Sequence, residues 1–334
     1  MTLYLHGMGH YQPETELSNR FLAELDIGTT EEWIVERVGI RTRRTVLPLD
    51  YIRQTRNRDL RAAAEAAQQS NAELAACAAE LALRRAGIGR ERIGLVVSGS
   101  SAPRVVTPAE ASFVAKELGI EAPVFDLNSA CSTFTAQLYA LSLMNPPALP
   151  EFVLLTQQES LTTALDYTDR GSCILFGDGA AAAVVSTQVP APVQLSHLHL
   201  ASDPQAADKV MIERCGYFEQ DGRAVQMFAI KRTRDGFEHI RNMQQQEGGS
   251  QRPLHFIGHQ ANLRVLEQVC KRCNIPPELH HSNVETCGNM GGASAPSALS
   301  MHWEKFTPQD DIALVTVGGG LSWTRALLRF GQPL

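Results

Sequence analysis

The stretch Asp126-Leu127-Asn128-Ser129-Ala130-Cys131-Ser132-Thr133-Phe134 joins two segments of different character. Ahead of it, the short apolar run Pro123-Val124-Phe125 reads as a strand. Behind it, Thr135 to Met144, with Leu138, Leu141 and Leu143, reads as a helix. Cys131 therefore sits on a tight strand-to-helix turn. A helix N-terminus carries roughly half a positive charge and unpaired N–H groups, which favours a thiolate there and makes this cysteine a candidate nucleophile. Free cysteine more often serves as a small buried hydrophobe, so the role depends on partners elsewhere in the chain.

Outward from this turn, strand-like and helix-like runs alternate. Strand-like runs are Leu3 to Leu5, Ile93 to Ser98, Pro123 to Leu127, Phe152 to Thr156, Cys173 to Phe176, Ala181 to Ser186, Leu195 to Leu200, Leu254 to Ile257 and Ile312 to Val317. Helix-like runs are Glu31 to Val38, Asn71 to Ala86, Pro108 to Leu118, Ser132 to Met144, Leu263 to Arg272 and Pro296 to Phe306. The alternation predicts α/β layers with helices packed on sheets. Thr29 with Glu32, and Thr107-Pro108-Ala109-Glu110, predict capping boxes. Gly87 and Gly119 are placed as left-handed C-terminal caps. Linker signals occur at 145–150, near the middle of the chain, and at 244–253.

The chain has 334 residues, enough for two structural units or one large layered domain. No apolar run approaches the ~18 residues a membrane span needs, and Met1 to Gly7 has no signal-peptide character, so a cytoplasmic protein is expected. Seven cysteines (77, 131, 173, 215, 270, 273 and 287) in so large a chain do not suggest a disulfide framework. A net charge of -6 argues against a general nucleic-acid binder. The segment from Thr45 to Asn71 is nevertheless arginine-rich.

Several motifs are set aside. Gly177-Asp178-Gly179-Ala180-Ala181-Ala182 matches a dinucleotide-binding pattern, but Ala183-Val184-Val185-Ser186 after it favours a strand over the required helix. Cys270-Lys271-Arg272-Cys273 lacks a second pair for zinc. His197 and His199 read as ordinary strand histidines.

Three further turns offer partners for Cys131. His259 lies in Phe256-Ile257-Gly258-His259-Gln260-Ala261-Asn262-Leu263-Arg264, Asn289 in Cys287-Gly288-Asn289-Met290-Gly291-Gly292-Ala293-Ser294, and a glycine triplet in Gly318-Gly319-Gly320-Leu321-Ser322-Trp323. Catalytic groups on α/β sheets collect where strands end and helices begin.

These residues, with Thr168-Asp169-Arg170-Gly171, Phe176-Gly177-Asp178-Gly179 and Glu32-Trp33-Ile34-Val35-Glu36-Arg37-Val38-Gly39-Ile40-Arg41, resemble the β-ketoacyl-acyl-carrier-protein synthase III family of condensing enzymes, and they occur in family order along nearly the whole chain. The resemblance implies a thiolase fold, five-layered α-β-α-β-α, built from two similar halves, 1–186 with the cysteine and 187–334 with the histidine, asparagine and glycine-rich loop. It implies Cys131, His259 and Asn289 as catalytic residues and the backbone N–H groups of Cys131 and Gly319 as the oxyanion hole. Trp33 and Arg170 would sandwich the adenine of coenzyme A, Arg37 would meet its phosphates and Asn262 would bind the pantetheine region. Arg264 would face an acidic acyl carrier protein, and Thr107 would border the acyl pocket from across a homodimer. The implied reaction is loading of an acyl thioester on Cys131 followed by decarboxylative condensation with malonyl-carrier protein, without a cofactor or metal. A specialised ketosynthase joining two acyl or β-ketoacyl thioesters, simple acyl transfer to an alcohol or amine, and a non-catalytic acyl-CoA or carrier-protein binder are the alternatives.

Three departures from the family pattern point to a specialised relative. Thr107 stands where the family often has Phe, which predicts a roomier acyl pocket. Met290-Gly291-Gly292 replaces Thr-Ser-Ala after the asparagine and is expected to leave space near the acyl chain. The arginine-rich 45–71 segment is longer than in the housekeeping enzymes.

Overall fold

A computed structural model describes residues 2–248 and 251–331. The linker signal at 244–253 falls partly outside them, at 249 and 250. Nine strands form one sheet: β1 (Leu3–Tyr11), β2 (Ile93–Gly99), β3 (Val124–Asp126), β4 (Phe152–Glu159), β5 (Gly179–Ser186), β6 (Val193–Ser202), β7 (Leu254–Gly258), β8 (Asp311–Gly318) and β9 (Ser322–Phe330). Their order is β7-β8-β9-β6-β1-β5-β4-β2-β3.

Two similar pairing patterns meet within it. β2 and β4 pair in parallel, and β4–β5 and β5–β1 are antiparallel. β7 and β8 pair in parallel, and β8–β9 and β9–β6 are antiparallel. The two sets join through β1 and β6 along only Leu3↔Leu195, Tyr4↔Gln194 and Leu5↔Val193.

The central strands are buried on both faces, and successive side chains point to opposite sides and separate three apolar layers. Val153, Leu155, Ala183, Val185, Ile312 and Leu314 face a central layer that holds Phe134, Leu138 and Leu141 of one helix, α4 (Thr133–Leu143), and Ala295, Ala298 and Leu299 of another, α7 (Ser294–Met301). Phe152, Leu154, Ala182 and Val184 face outward onto α2 (Asn71–Ala86) and α3 (Glu110–Leu118). Ala313, Val315 and Leu327 face the other outer layer, with α1 (Glu31–Val38), α5 (Gly222–Gln246) and α6 (Leu263–Cys273). Helices thus cover both sheet halves outside and lie between them inside, the expected α-β-α-β-α stack.

Local structure departs from expectation in places. Residues 173–176 are turns with an isolated bridge at Phe176 to Asn289 and do not form a strand. The 25-residue α5 has no counterpart among the helix-like runs. The cap of α1 is Thr30, which accepts from Trp33 N, in place of Thr29. α3 begins at Glu110 with no cap from Thr107; the Asp126 carboxylate accepts from Glu110 N at 2.7 Å and Ala111 N at 2.9 Å. Gly87 and Gly119 take the expected left-handed conformation. The 145–150 segment leads from α4 into β4 within one pairing pattern, so it does not separate the two patterns. Among the described residues, no helix is long and apolar enough to cross a membrane.

Candidate active site

The Cys131 turn is built by its own polar side chains. Asn128 Oδ1 accepts from Ala130 N at 2.8 Å, and the Thr133 hydroxyl donates to Ala130 O at 2.7 Å. Ala130 is held at φ 48, a left-handed conformation that costs a non-glycine residue about 1 kcal/mol or more. α4 starts at Thr133, so Cys131 precedes its first residue by two positions. The thiol is pushed up to about 12, first by burial and then by the charge of Glu159, against a smaller lowering from its own backbone N–H. Desolvation and a neighbouring carboxylate outweigh the helix end, so the unliganded site holds a thiol.

The Gly318 end of β8 lies against this turn. A Cβ at Gly318 would come 2.8 Å from Ser129 O and 3.1 Å from Cys131 N, so glycine is what permits the contact. The two amides expected to form an oxyanion hole, Cys131 and Gly319, thus belong to touching segments.

His259 follows β7 directly. Its N–H donates to Val315 O of β8 at 3.0 Å, which fixes the residue beside the strand that ends at Gly318. The residue is 8% exposed, and burial lowers its ring to about 4, so it is a neutral imidazole near pH 7.

Asn289 is clamped through its backbone: its N–H donates to Leu175 O at 2.9 Å, and its carbonyl accepts from Gly177 N at 3.1 Å. Its Oδ1 accepts from Gly291 N at 3.0 Å and from the Ser294 hydroxyl at 3.4 Å. Those contacts assign the amide orientation and leave Nδ2 as the outward donor. The next turn touches the cysteine turn, since a Cβ at Gly292 would lie 3.0 Å from Ala130 O.

The expected entrance residues are placed as follows. Arg170 stacks directly on Trp33, its guanidinium carbon 4.9 Å from the ring centroid, and donates to Gly28 O. An adenine between them requires the pair to part. Arg37 is exposed in the last turn of α1. Arg264 donates to Glu36 O at 3.1 Å and Val35 O at 2.9 Å and pairs with Glu267, so it bolts the end of α1 to α6. Asn262 is the N-cap of α6, accepting from Val265 N at 2.9 Å. Thr107 is exposed beside Val106, itself 71% exposed, on the loop between β2 and α3.

Glu159 was missed in the sequence reading. It ends β4 as a buried carboxylate and bonds to Gly292 N at 3.1 Å. The only signal was its position at the end of a strand, within the polar run Thr156-Gln157-Gln158-Glu159-Ser160.

Comparison with known proteins matches residues 125–204 to the 3-oxoacyl-[acyl-carrier-protein (ACP)] synthase III family model and residues 246–330 to its C-terminal model. A β-ketoacyl-[acyl-carrier-protein] synthase III of Syntrophomonas wolfei is 33% identical, covering 99% of this chain and 98% of its own. The crystal structure of 3-oxoacyl-(acyl carrier protein) synthase III from Pseudomonas aeruginosa PAO1 is similar at 31% identity and TM-score 0.84, covering 100% of both chains. The priming β-ketosynthase from the R1128 polyketide biosynthetic pathway is similar at 27% identity and TM-score 0.82, covering 99% of this chain and 97% of its own.

Proposed function

This chain belongs to the 3-oxoacyl-[acyl-carrier-protein] synthase III family, and from that premise we propose that it is a condensing acyltransferase with Cys131, His259 and Asn289 as its catalytic residues. The observation that carries this reading is the packing of both the Gly318 strand end and the Asn289–Gly292 turn on the Cys131 turn. In the first half-reaction the Cys131 sulfur attacks an acyl-CoA or acyl-carrier thioester. Its proton leaves on the departing thiolate, transferred by way of solvent, so that the neutral His259 keeps its Nε2–H for the second half-reaction. The tetrahedral oxyanion is held by the Cys131 and Gly319 N–H groups. In the second half-reaction a malonyl thioester loses carbon dioxide, and the electron pair of the broken bond becomes an enolate. His259 Nε2–H and Asn289 Nδ2–H stabilise its oxygen. The enolate carbon attacks the acyl-cysteine, forming the new carbon–carbon bond and expelling the Cys131 thiolate, which is then reprotonated. Decarboxylation supplies the carbanion, so the reaction calls on no redox cofactor or metal.

At the entrance, Trp33 and Arg170 part to take the adenine, Arg37 meets phosphate and Asn262 borders the pantetheine arm, while Arg264 contributes to carrier-protein docking. The protein acts in the cytoplasm as a homodimer in which the exposed Thr107 loop meets the second copy and borders its acyl pocket.

The test is intact-protein mass after incubation with acyl-CoAs from acetyl to dodecanoyl, alongside Cys131→Ala, followed by malonyl-carrier protein with carbon dioxide release measured. A Cys131-dependent acyl adduct, consumed with carbon dioxide release, is expected. His259→Ala and Asn289→Ala are each expected to lower condensation about 100- to 1,000-fold, the usual loss for one oxyanion donor. An adduct that forms but passes its acyl group to an alcohol or amine without carbon dioxide would replace condensation with simple acyl transfer. No adduct from any donor would favour a binding protein.

A further inference from the structure

Glu159 is 1% exposed. Its Oε2 accepts from Ser101 N at 2.9 Å, with the Ser100 hydroxyl at 3.5 Å. Its Oε1 accepts from the Ser101 hydroxyl at 3.0 Å and from Gly292 N at 3.1 Å. Among the described residues no cation pairs with it. Burying a carboxylate without a counter-ion is unfavourable by several kcal/mol, so a fold that keeps one at a strand end invites a functional reason.

The carboxylate joins two loops that the sheet alone does not connect. One follows β2 and carries Ser100, Ser101 and Thr107. The other presents Asn289. The second loop is shaped to the carboxylate: a Cβ at Gly291 would lie 2.8 Å from Oε1, and one at Gly292 3.3 Å. The space expected beside the acyl chain at Gly291-Gly292 is therefore filled by Glu159. Met290 is fully buried, with its sulfur against Gly179.

We propose that Glu159 is a positioning residue for the carbanion-forming half-reaction: through the Gly292 amide it sets the turn that aims Asn289 Nδ2, and through Ser101 it ties that turn to the Thr107 loop. This inference rests on the condensing reading above. Burial pushes the Glu159 carboxyl up to about 7, and its ionised form opposes a free Cys131 thiolate; once the cysteine is acylated that penalty is gone. The carboxylate is then compatible with the second half-reaction, where Asn289 acts.

Glu159→Gln keeps the volume but turns one accepting oxygen into an NH2 group facing a donor. Condensation with malonyl-carrier protein is expected to fall about 10- to 100-fold, since small misplacements of a catalytic group cost rates of that order. Loading of Cys131 from acyl-CoA, read by intact mass, is expected to stay within about threefold. Ser101→Ala removes one donor from the same oxygen that Gly292 uses and should show the same split at about threefold; it also serves where Glu159→Gln does not fold. Equal losses in loading and condensation, or no loss in either, would overturn the inference. A wild-type protein that never acylates Cys131 ends the condensing reading itself. A wild type that loads and condenses, with no split in the variants, ends only the role of Glu159.

Discussion

Burial sets the resting charges of Cys131 and His259. His259 is lowered from 6.5 to about 4. A depressed base contributes stability that is present above its unfolded value and is lost as pH falls through the folded one. Between pH 7 and pH 5 this single ring accounts for a loss of about 2 kcal/mol. His259→Leu should therefore lose less stability than wild type over that interval, by about that amount, in urea unfolding at the two pH values. Equal losses would mean that the ring is solvated in the folded state. Histidines such as His10 and His281, also lowered by burial, titrate in both proteins and cancel in the comparison. Cys131, pushed up to about 12, runs the other way: its contribution is present below the ordinary thiol value near 9 and is lost as pH rises through the folded one. The turns that carry Cys131, His259 and Asn289 were legible in the sequence because each combines turn chemistry with a neighbouring periodic segment. The thiol's raised pKa was not legible, because it comes first from burial and then from Glu159, both set by parts of the chain distant in sequence. A glutamate in a polar run reads as solvated until the fold encloses it.

At the scale of elements, the site depends on how helices begin. α4 and α7 share the central layer, and each is preceded by a turn bearing a candidate catalytic residue, Cys131 or Asn289. No residue-level repeat reveals this correspondence, because the matching lies in strand pairing and helix placement. α5 escaped the sequence reading for a related reason. Its buried positions Ile230, Thr233, Phe237, Ile240 and Gln244 keep helical spacing, but polar residues fill most of the positions between them and two of these buried positions themselves. α3 illustrates a local signal overridden by tertiary structure. Thr107 and Glu110 spell a capping box, yet Asp126, at the end of β3, supplies the acceptor. Asp126→Ala should therefore cost about 1 kcal/mol in denaturant unfolding, the usual loss of a cap, while Thr107→Ala in the monomer stays within about 0.5 kcal/mol. A larger loss at Thr107 would restore the capping box.

At the scale of the whole molecule, the two pairing patterns are joined by a short β1–β6 contact and by the central layer. The three β1–β6 residue pairs supply little of that connection. The apolar layer supplies more: Leu138 is fully buried in a cluster that also contains Leu155 of β4 and Leu314 of β8. A chain divided at 186/187 into two independent folding units would leave this layer exposed on both. The halves are therefore expected to unfold together, although they resemble each other in topology. Leu138→Ala should cost about 2–5 kcal/mol by opening a cavity in the shared layer. Far-UV circular dichroism follows the whole chain. Tryptophan fluorescence reports mainly the outer layer of the second pattern, where Trp33 and Trp323 pack. In urea the two signals should coincide in wild type and shift together in the variant, as one cooperative transition requires. Separate transitions, with fluorescence unmoved by Leu138→Ala, would show that each half holds its own core. The active site would then lie on a contact between two units instead of inside one, and its geometry would vary with their docking.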